Sequence, residues 1–211
     1  MTDRSGTALG DPPTDMTGFP RWRLRKTQCM WRAHTVGRSP WWFSSDDRGR
    51  FNLAPPHGAC YLATDVVTAL RERFGPELVT MRMVSAAATA ETVVSQLFPP
   101  KQRQLADATH PDATQFGVTR ELFTVVGDRY QLTRRWATAL HANGARGIRY
   151  QSRFTSTANA NAFALFDDAG LHDWPADSNP LPGAEACAQA GLAVLAPPTR
   201  RQVRIVDTPQ I

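Results

Sequence analysis

The sequence predicts a single α/β or α+β domain with a mixed β-sheet and flanking helices. Three observations lead there. Short apolar or alternating runs recur along the chain, as strands require. Two segments with amphipathic spacing and helix-end signals are interspersed among them. The chain has 211 residues, enough for one sizeable core and marginal for two.

Taken in order, residues 1–20 are polar, rich in Gly, Pro, Thr and Asp, and read as a disordered lead. The basic run RWRLRK (21–26) is either a solvated edge or a contact for an acidic partner. CMWRAH (29–34) reads as a first strand. A long loop over 35–51 carries Trp41, Trp42 and Phe43, and loops of that length are uncommon in compact domains unless they bind something. ACYLA (59–63) is a buried strand. Thr64 or Asp65 then caps a helix over 65–74 that Gly75-Pro76 ends. Val67, Leu70 and Phe74 share its apolar face, and Glu72 lies about 140° around the helix from Val67. Glu72 therefore faces water or a cleft.

ELVTMRMVS (77–85) alternates like a strand, 86–98 fits helix or strand, and 99–115 is a polar connection. The second helix runs over 128–143, with Leu132, Trp136, Ala139 and Leu140 on one stripe and Gly144 at its stop. GIRYQS (147–152) and AFALFD (162–167) are strands on either side of a polar hairpin. Beyond 168 the composition turns Pro-, Ala- and Gly-rich, a C-terminal extension (169–211) packed on the domain and partly flexible. Within it QVRIV (202–206) could add an edge strand. No internal repeat is present.

Composition narrows the function. The net charge of +5 favours anionic partners. Cys29, Cys60 and Cys187 form no CxxC pair and read as reduced thiols. The five histidines lie at least 23 residues apart, without metal-ligand spacing. GxGxxG, P-loop and GxSxG motifs are missing. The basic residues are spread along the chain, so direct nucleic-acid binding is not expected. The N-terminus lacks an apolar signal region, and no run approaches the roughly 18 apolar residues of a membrane span. These features predict a cytoplasmic protein.

Several polar residues stand where strand ends, turns or helices would line a cleft: Arg32, Arg50, Tyr61, Glu72 and Ser152. Their order and context resemble the RES domain, a bacterial family named for its Arg, Glu and Ser. Trp31-Arg32 matches its early aromatic–Arg pair. Gly49 to Asn52 matches its GR(W/F)N turn. Tyr61 to Ala63 and Ala69 to Glu72 match a YLA strand and an A-x-x-E helix. Gly147 to Ser152, with Arg153 after them, and Leu165-Phe166 match the late Tyr–Ser strand and an LF strand end. The resemblance covers about residues 28–168 and places the catalytic domain over 21–168.

The resemblance implies an ADP-ribosyltransferase-like fold with a split sheet, NAD as substrate and no metal or recycled cofactor. It implies cleavage of the nicotinamide–ribose bond by phosphorolysis or hydrolysis, or ADP-ribosyl transfer to protein. Chemistry suits the matched residues to those tasks. Positive charge develops on the ribose as nicotinamide leaves, and one carboxylate, Glu72, can stabilise it. The guanidinium forks of Arg32 and Arg50 suit the pyrophosphate or a phosphate nucleophile. The Tyr61 ring can stack on nicotinamide, and the Ser152 hydroxyl can bond ribose or phosphate. Read alone, each residue also fits a bland role: Glu72 on a helix surface, Arg50 in a turn, Tyr61 in the core.

Three functions follow. One is the NAD-consuming toxin of a toxin–antitoxin pair, with an acidic or helix-turn-helix antitoxin as partner. Another is an NAD-splitting or ADP-ribosyl-transferring enzyme of a biosynthetic or defence pathway, without an antitoxin. The last is a non-catalytic nucleotide-binding module.

Overall fold

The computed structural model describes residues 8–196 apart from 156, 158 and 159, together with all their side chains except that of Asp128. Its strands are β1 (Arg21–Leu24), β2 (Met30–Thr35), β3 (Trp42–Phe43), β4 (His57–Ala63), β5 (Val84–Ser85), β6 (Thr92–Leu97), β7 (Arg103–Asp107), β8 (Gly147–Gln151), β9 (Asn161–Asp168), β10 (Gly170–Leu171), β11 (Leu181–Pro182) and β12 (Val194–Leu195). Its helices are α1 (Val66–Met81), α2 (Ala86–Ala90), α3 (Glu121–Thr124), α4 (Tyr130–Ala142) and α5 (Gly183–Gln189).

A mixed eight-stranded sheet in the order β1-β7-β8-β9-β4-β2-β6-β11 organises these elements. Its one parallel pair, β7–β8, is bridged by the crossover that holds α3 and α4. The centre is the full-length pairing of β4 with β9, in which Tyr61 faces Ala164 and Cys60 faces Leu165. Side chains alternate across a strand. Ala59, Tyr61, Ala162, Ala164 and Phe166 thus share one face with Trp136 and Leu140 of α4, while Cys60, Leu62, Phe163 and Leu165 meet Trp41 and Phe43 on the other. The alanines leave room on the first face for Phe51, Tyr150 and the helix. Farther along that face, Leu70 and Phe74 of α1 pack against Trp31, Ala33 and Val94. The fold is thus the predicted mixed α/β domain with flanking helices.

Local order departs from the sequence expectations in several places. The first helix does not stop at Gly75-Pro76. Asp65 caps it, accepting from the Thr68 N–H at 2.8 Å, and it continues to Met81. Pro76 has no N–H to give the Glu72 carbonyl four residues back. Burial of Leu70 and Phe74 and the bond from the Ser85 N–H to Glu77 (2.9 Å) hold the helix across that break. At Gly75 a Cβ would stand 2.4 Å from the Phe154 ring, so a larger residue there would displace that ring. Val67, expected on the apolar face, is 38% exposed.

The strand expected over 77–85 shrinks to β5, because Glu77–Met81 completes α1 and Arg82 ends it in a left-handed conformation (φ 57°). Residues 86–98 divide into α2 and β6. The polar connection over 99–115 contains β7, a central strand. Arg103 disguises it in sequence, yet this arginine is 4% exposed, pairs with Asp167 at 2.5 Å and lies 4.9 Å from the centre of the Trp174 ring.

The lead is not loose over residues 8–20. Leu9, Met16 and Phe19 are buried, the Leu9 N–H donates to Glu121 (2.6 Å), and the Trp136 indole donates to the Gly10 carbonyl (2.9 Å). Three apolar anchors in a polar stretch suffice. Residues 1–7 lie outside the described residues, as does QVRIV at 202–206. The basic run 21–26 forms β1, the sheet's edge strand.

The aromatic loop over 35–51 is partly ordered as β3, and Trp41 and Phe43 are fully buried. The segment after 168 covers them: β10 pairs with β3, Trp174 meets both rings edge-on, and Pro175 accepts from the Trp41 indole at 2.8 Å. β11 then adds to the main sheet, so the domain runs past 168. Cys29, Cys60 and Cys187 are free thiols. Among the described residues no helix is long and apolar enough to cross a membrane.

Candidate active site

The turn Gly49-Arg50-Phe51-Asn52 is built around the Asn52 carboxamide. This side chain is 2% exposed. It donates to the Asp46 backbone carbonyl (3.0 Å) and carboxylate (3.1 Å), and accepts from the Tyr61 hydroxyl (2.9 Å). The same hydroxyl accepts the Phe51 N–H at 2.8 Å. Gly49 makes room: a Cβ there would stand 2.1 Å from the Asn52 oxygen. Gly49→Ala is therefore expected to displace Asn52 and loosen the turn. Its melting temperature should fall by roughly 2–4 °C for each kcal/mol lost, and its intrinsic tyrosine fluorescence should change. An unchanged melting curve would show that the carboxamide is not the keystone of the turn.

With Phe51 anchored in the core, Arg50 is delivered beneath three rings. Its guanidinium lies 5.8 Å from the centre of Phe51 and 5.9 Å from those of Tyr130 and Tyr150. Arg50 is 7% exposed, its Nε has no hydrogen-bond partner, and it forms no ion pair among the described residues. A cation placed this way is stabilised by ring faces and left open to an anion.

Glu72 projects from α1 off the Leu70–Phe74 stripe, on the flank it shares with buried Thr68 and Gly75, and its Oε1 accepts the Ser152 hydroxyl at 2.5 Å. Ser152, just past β8 and 2% exposed, also accepts the Phe154 N–H at 3.3 Å. Ser152 therefore stands against Glu72 and fixes its rotamer. Ser152→Ala is expected to lower kcat tenfold to a hundredfold with little change in KM, the size of one hydrogen bond to a charged group, about 1.5–3 kcal/mol. A rise in KM at unchanged kcat would instead make Ser152 a substrate contact.

Arg32 departs most from expectation. β2 meets β4 with Trp31 opposite Ala63, so alternation puts Arg32 on the Cys60–Leu62 face, away from Tyr61. Its guanidinium donates to the carbonyls of Pro40 and Trp42 (3.1 Å to the latter) and lies 2.9 Å from the Cys60 sulfur. It braces the aromatic plug, and a role as second phosphate fork would require it to leave these partners.

Arg50, Tyr61 and Glu72 meet in a cleft of about 450 Å³, within the usual range for small-molecule sites; Ser152 does not line it. Tyr61, Glu72, Tyr130, Tyr150 and Phe154 line it, with Arg48, Arg50, Arg73 and Arg153, and Arg32 reaches its wall. Glu72 is the one carboxylate in that lining. Burial holds both the Tyr61 and Tyr150 hydroxyls well above the usual phenol range; for Tyr150 the Glu72 charge adds to the effect, and for both Arg50 opposes it. Both phenols therefore remain protonated donors. Sequence reasoning missed Tyr130, Tyr150 and Arg153. Tyr150 was open to inference, since it stands two residues before Ser152 and shares its strand face.

The RES domain family model matches residues 29–182, and the chain belongs to that family. In fold it is similar to a chain in the crystal structure of the M. tuberculosis MbcT–MbcA toxin–antitoxin complex, with a TM-score of 0.55 and 15% sequence identity over 80% of this chain and 92% of that one. No curated protein matches it in sequence.

Proposed function

We propose that the protein cleaves the nicotinamide–ribose bond of NAD and acts as the toxin of a toxin–antitoxin pair. The observation that carries this reading is the Glu72 carboxylate, held by Ser152 at 2.5 Å on the wall of a cleft whose other charged groups are guanidiniums. An anionic dinucleotide with a cationic ring suits such a wall. Arg50, open to an anion, takes pyrophosphate oxygens. Tyr61 offers a ring face to nicotinamide, its hydroxyl fixed by Asn52. The C1′–N bond breaks and its electron pair stays with the departing nicotinamide, which becomes neutral. The ribose carbon gains positive charge beside Glu72 and takes an oxygen from water or phosphate. Membership of the RES family and the fold shared with a toxin–antitoxin complex support the reading. An antitoxin presenting acidic groups would suit the arginine-lined mouth.

Incubation of the purified protein with NAD, with and without phosphate, tests this. Free nicotinamide is the expected product, with ADP-ribose in the absence of phosphate or its 1″-phosphate in the presence of phosphate, told apart by mass. Intact NAD in both mixtures would refute the reading. Turnover is also expected to be unchanged by chelators. Among the described residues no three His, Cys, Asp or Glu side chains converge as a metal site, and the leaving group already carries the charge that a Lewis acid would induce. Loss of activity with a chelator, restored by one metal, would require a different mechanism.

A further inference from the structure

A second cavity, of about 400 Å³, opens between α3 and the end of β8 and is lined by Arg120, Phe123, Thr124, Gln151, Ser152, Arg153 and Thr155. We propose that it is a binding site for a phosphate group, carried by a small phosphate ester or present as the free ion. Its location beside the cleft makes it a neighbour of the NAD site rather than part of it.

The charge balance is one-sided. Two arginines line the cavity and no carboxylate does. The nearest acid in sequence, Glu121, is occupied by Arg129 and by the Leu9 N–H. Arg120 is exposed, and its guanidinium makes no hydrogen bond or ion pair among the described residues. Arg153 is held from behind, by one bond to the Val125 carbonyl (3.0 Å) and by the Phe154 ring at 4.4 Å. Its Nε is buried without a partner. A guanidinium held in place and an exposed, unpaired one lining the same cavity suit a tetrahedral oxyanion, which can accept two N–H bonds from a guanidinium. Thr155 and Gln151 add neutral donors.

Ser152 marks the boundary with the cleft. Its proton goes to Glu72, so it offers the cavity no donor. Arg153 lines both spaces. The cavity exceeds one phosphate ion in size, and Phe123 supplies an apolar wall for an organic group attached to it.

Calorimetric titration of the full chain with inorganic phosphate and with ribose 5-phosphate tests the proposal. NAD is not used, so the titration reads binding without turnover. Arg50→Ala removes the anion fork of the cleft, so it separates the two spaces: the binding step that belongs to the cavity is expected in wild type and in Arg50→Ala alike, and any further step lost in Arg50→Ala belongs to the cleft. Arg120→Ala should bind at least about tenfold more weakly, the loss expected for a hydrogen bond between charged groups. Because Arg120 is exposed, its replacement should leave the melting temperature unchanged, so weaker binding cannot be ascribed to misfolding. Tighter binding of the ester than of the ion would identify the ester as the ligand, and equal binding the ion. The proposal is overturned if neither compound binds, if Arg120→Ala binds like wild type, or if binding is lost in Arg50→Ala instead.

Discussion

Glu72→Gln is expected to fold like the wild type and to lose on the order of 10²–10³ in the rate of NAD cleavage. The substitution keeps an oxygen that can accept the Ser152 hydroxyl, so the 2.5 Å contact and the helix around it have no reason to rearrange. What disappears is negative charge beside the ribose carbon at the moment that carbon turns positive. Because the effect belongs to the transition state, kcat should fall and KM should change little. Steady-state kinetics and a melting curve on the same preparation check this. A folded Glu72→Gln protein with wild-type turnover would remove Glu72 from the mechanism.

Arg50→Ala is expected to lower kcat/KM about 10²-fold, the value of a two-pronged guanidinium–phosphate contact at about 3 kcal/mol. Arg50→Lys should recover little, since an ammonium cannot reproduce the fork. Stability should move the other way from activity. Arg50 is buried with an unpartnered Nε and no ion pair, so its removal relieves a desolvated charge. Arg32→Ala supplies the contrast: it removes the bonds to Pro40, Trp42 and Cys60 that brace the aromatic plug, and should lower the melting temperature. Wild-type kinetics in Arg50→Ala, or an unaltered melting curve in Arg32→Ala, would reverse this division of labour.

The elements that decide the fold were legible wherever burial follows the period of the local structure. β4 and β9 are apolar on both faces, and α4 carries its stripe on one side, so their sequences announce them. β7 was hidden because Arg103 is satisfied by tertiary partners, Asp167 and Trp174, that lie far along the chain. The length of α1 was hidden because Pro76 reads as a terminator, whereas tertiary packing of Leu70 and Phe74 overrides it. Within the site, residue identities could be read and their directions could not. Tyr61 and Glu72 line the cleft as expected. Arg32 also lines the cleft, but its guanidinium is engaged by the Pro40 and Trp42 carbonyls on the Cys60–Leu62 face, where the β2–β4 register puts it, and register depends on both strands together. Ser152 bonds Glu72, a contact visible only once the end of β8 and α1 stand side by side.

That bond also sets a timetable for the chain as it is made. Glu72 and its support lie 80 positions apart in sequence, and β4, which carries Tyr61, sits in the sheet beside β9, which is synthesised about 100 residues later. A growing chain extrudes Arg50, Tyr61 and Glu72 well before β8 and β9 exist. During that interval the carboxylate has no hydroxyl behind it, the cleft has no Tyr150 wall, and α1 has only part of a sheet to rest on. Pairings between distant segments form late. If the proposed function holds, a cleft laid out in this order gains its activity only after the last central strand has closed.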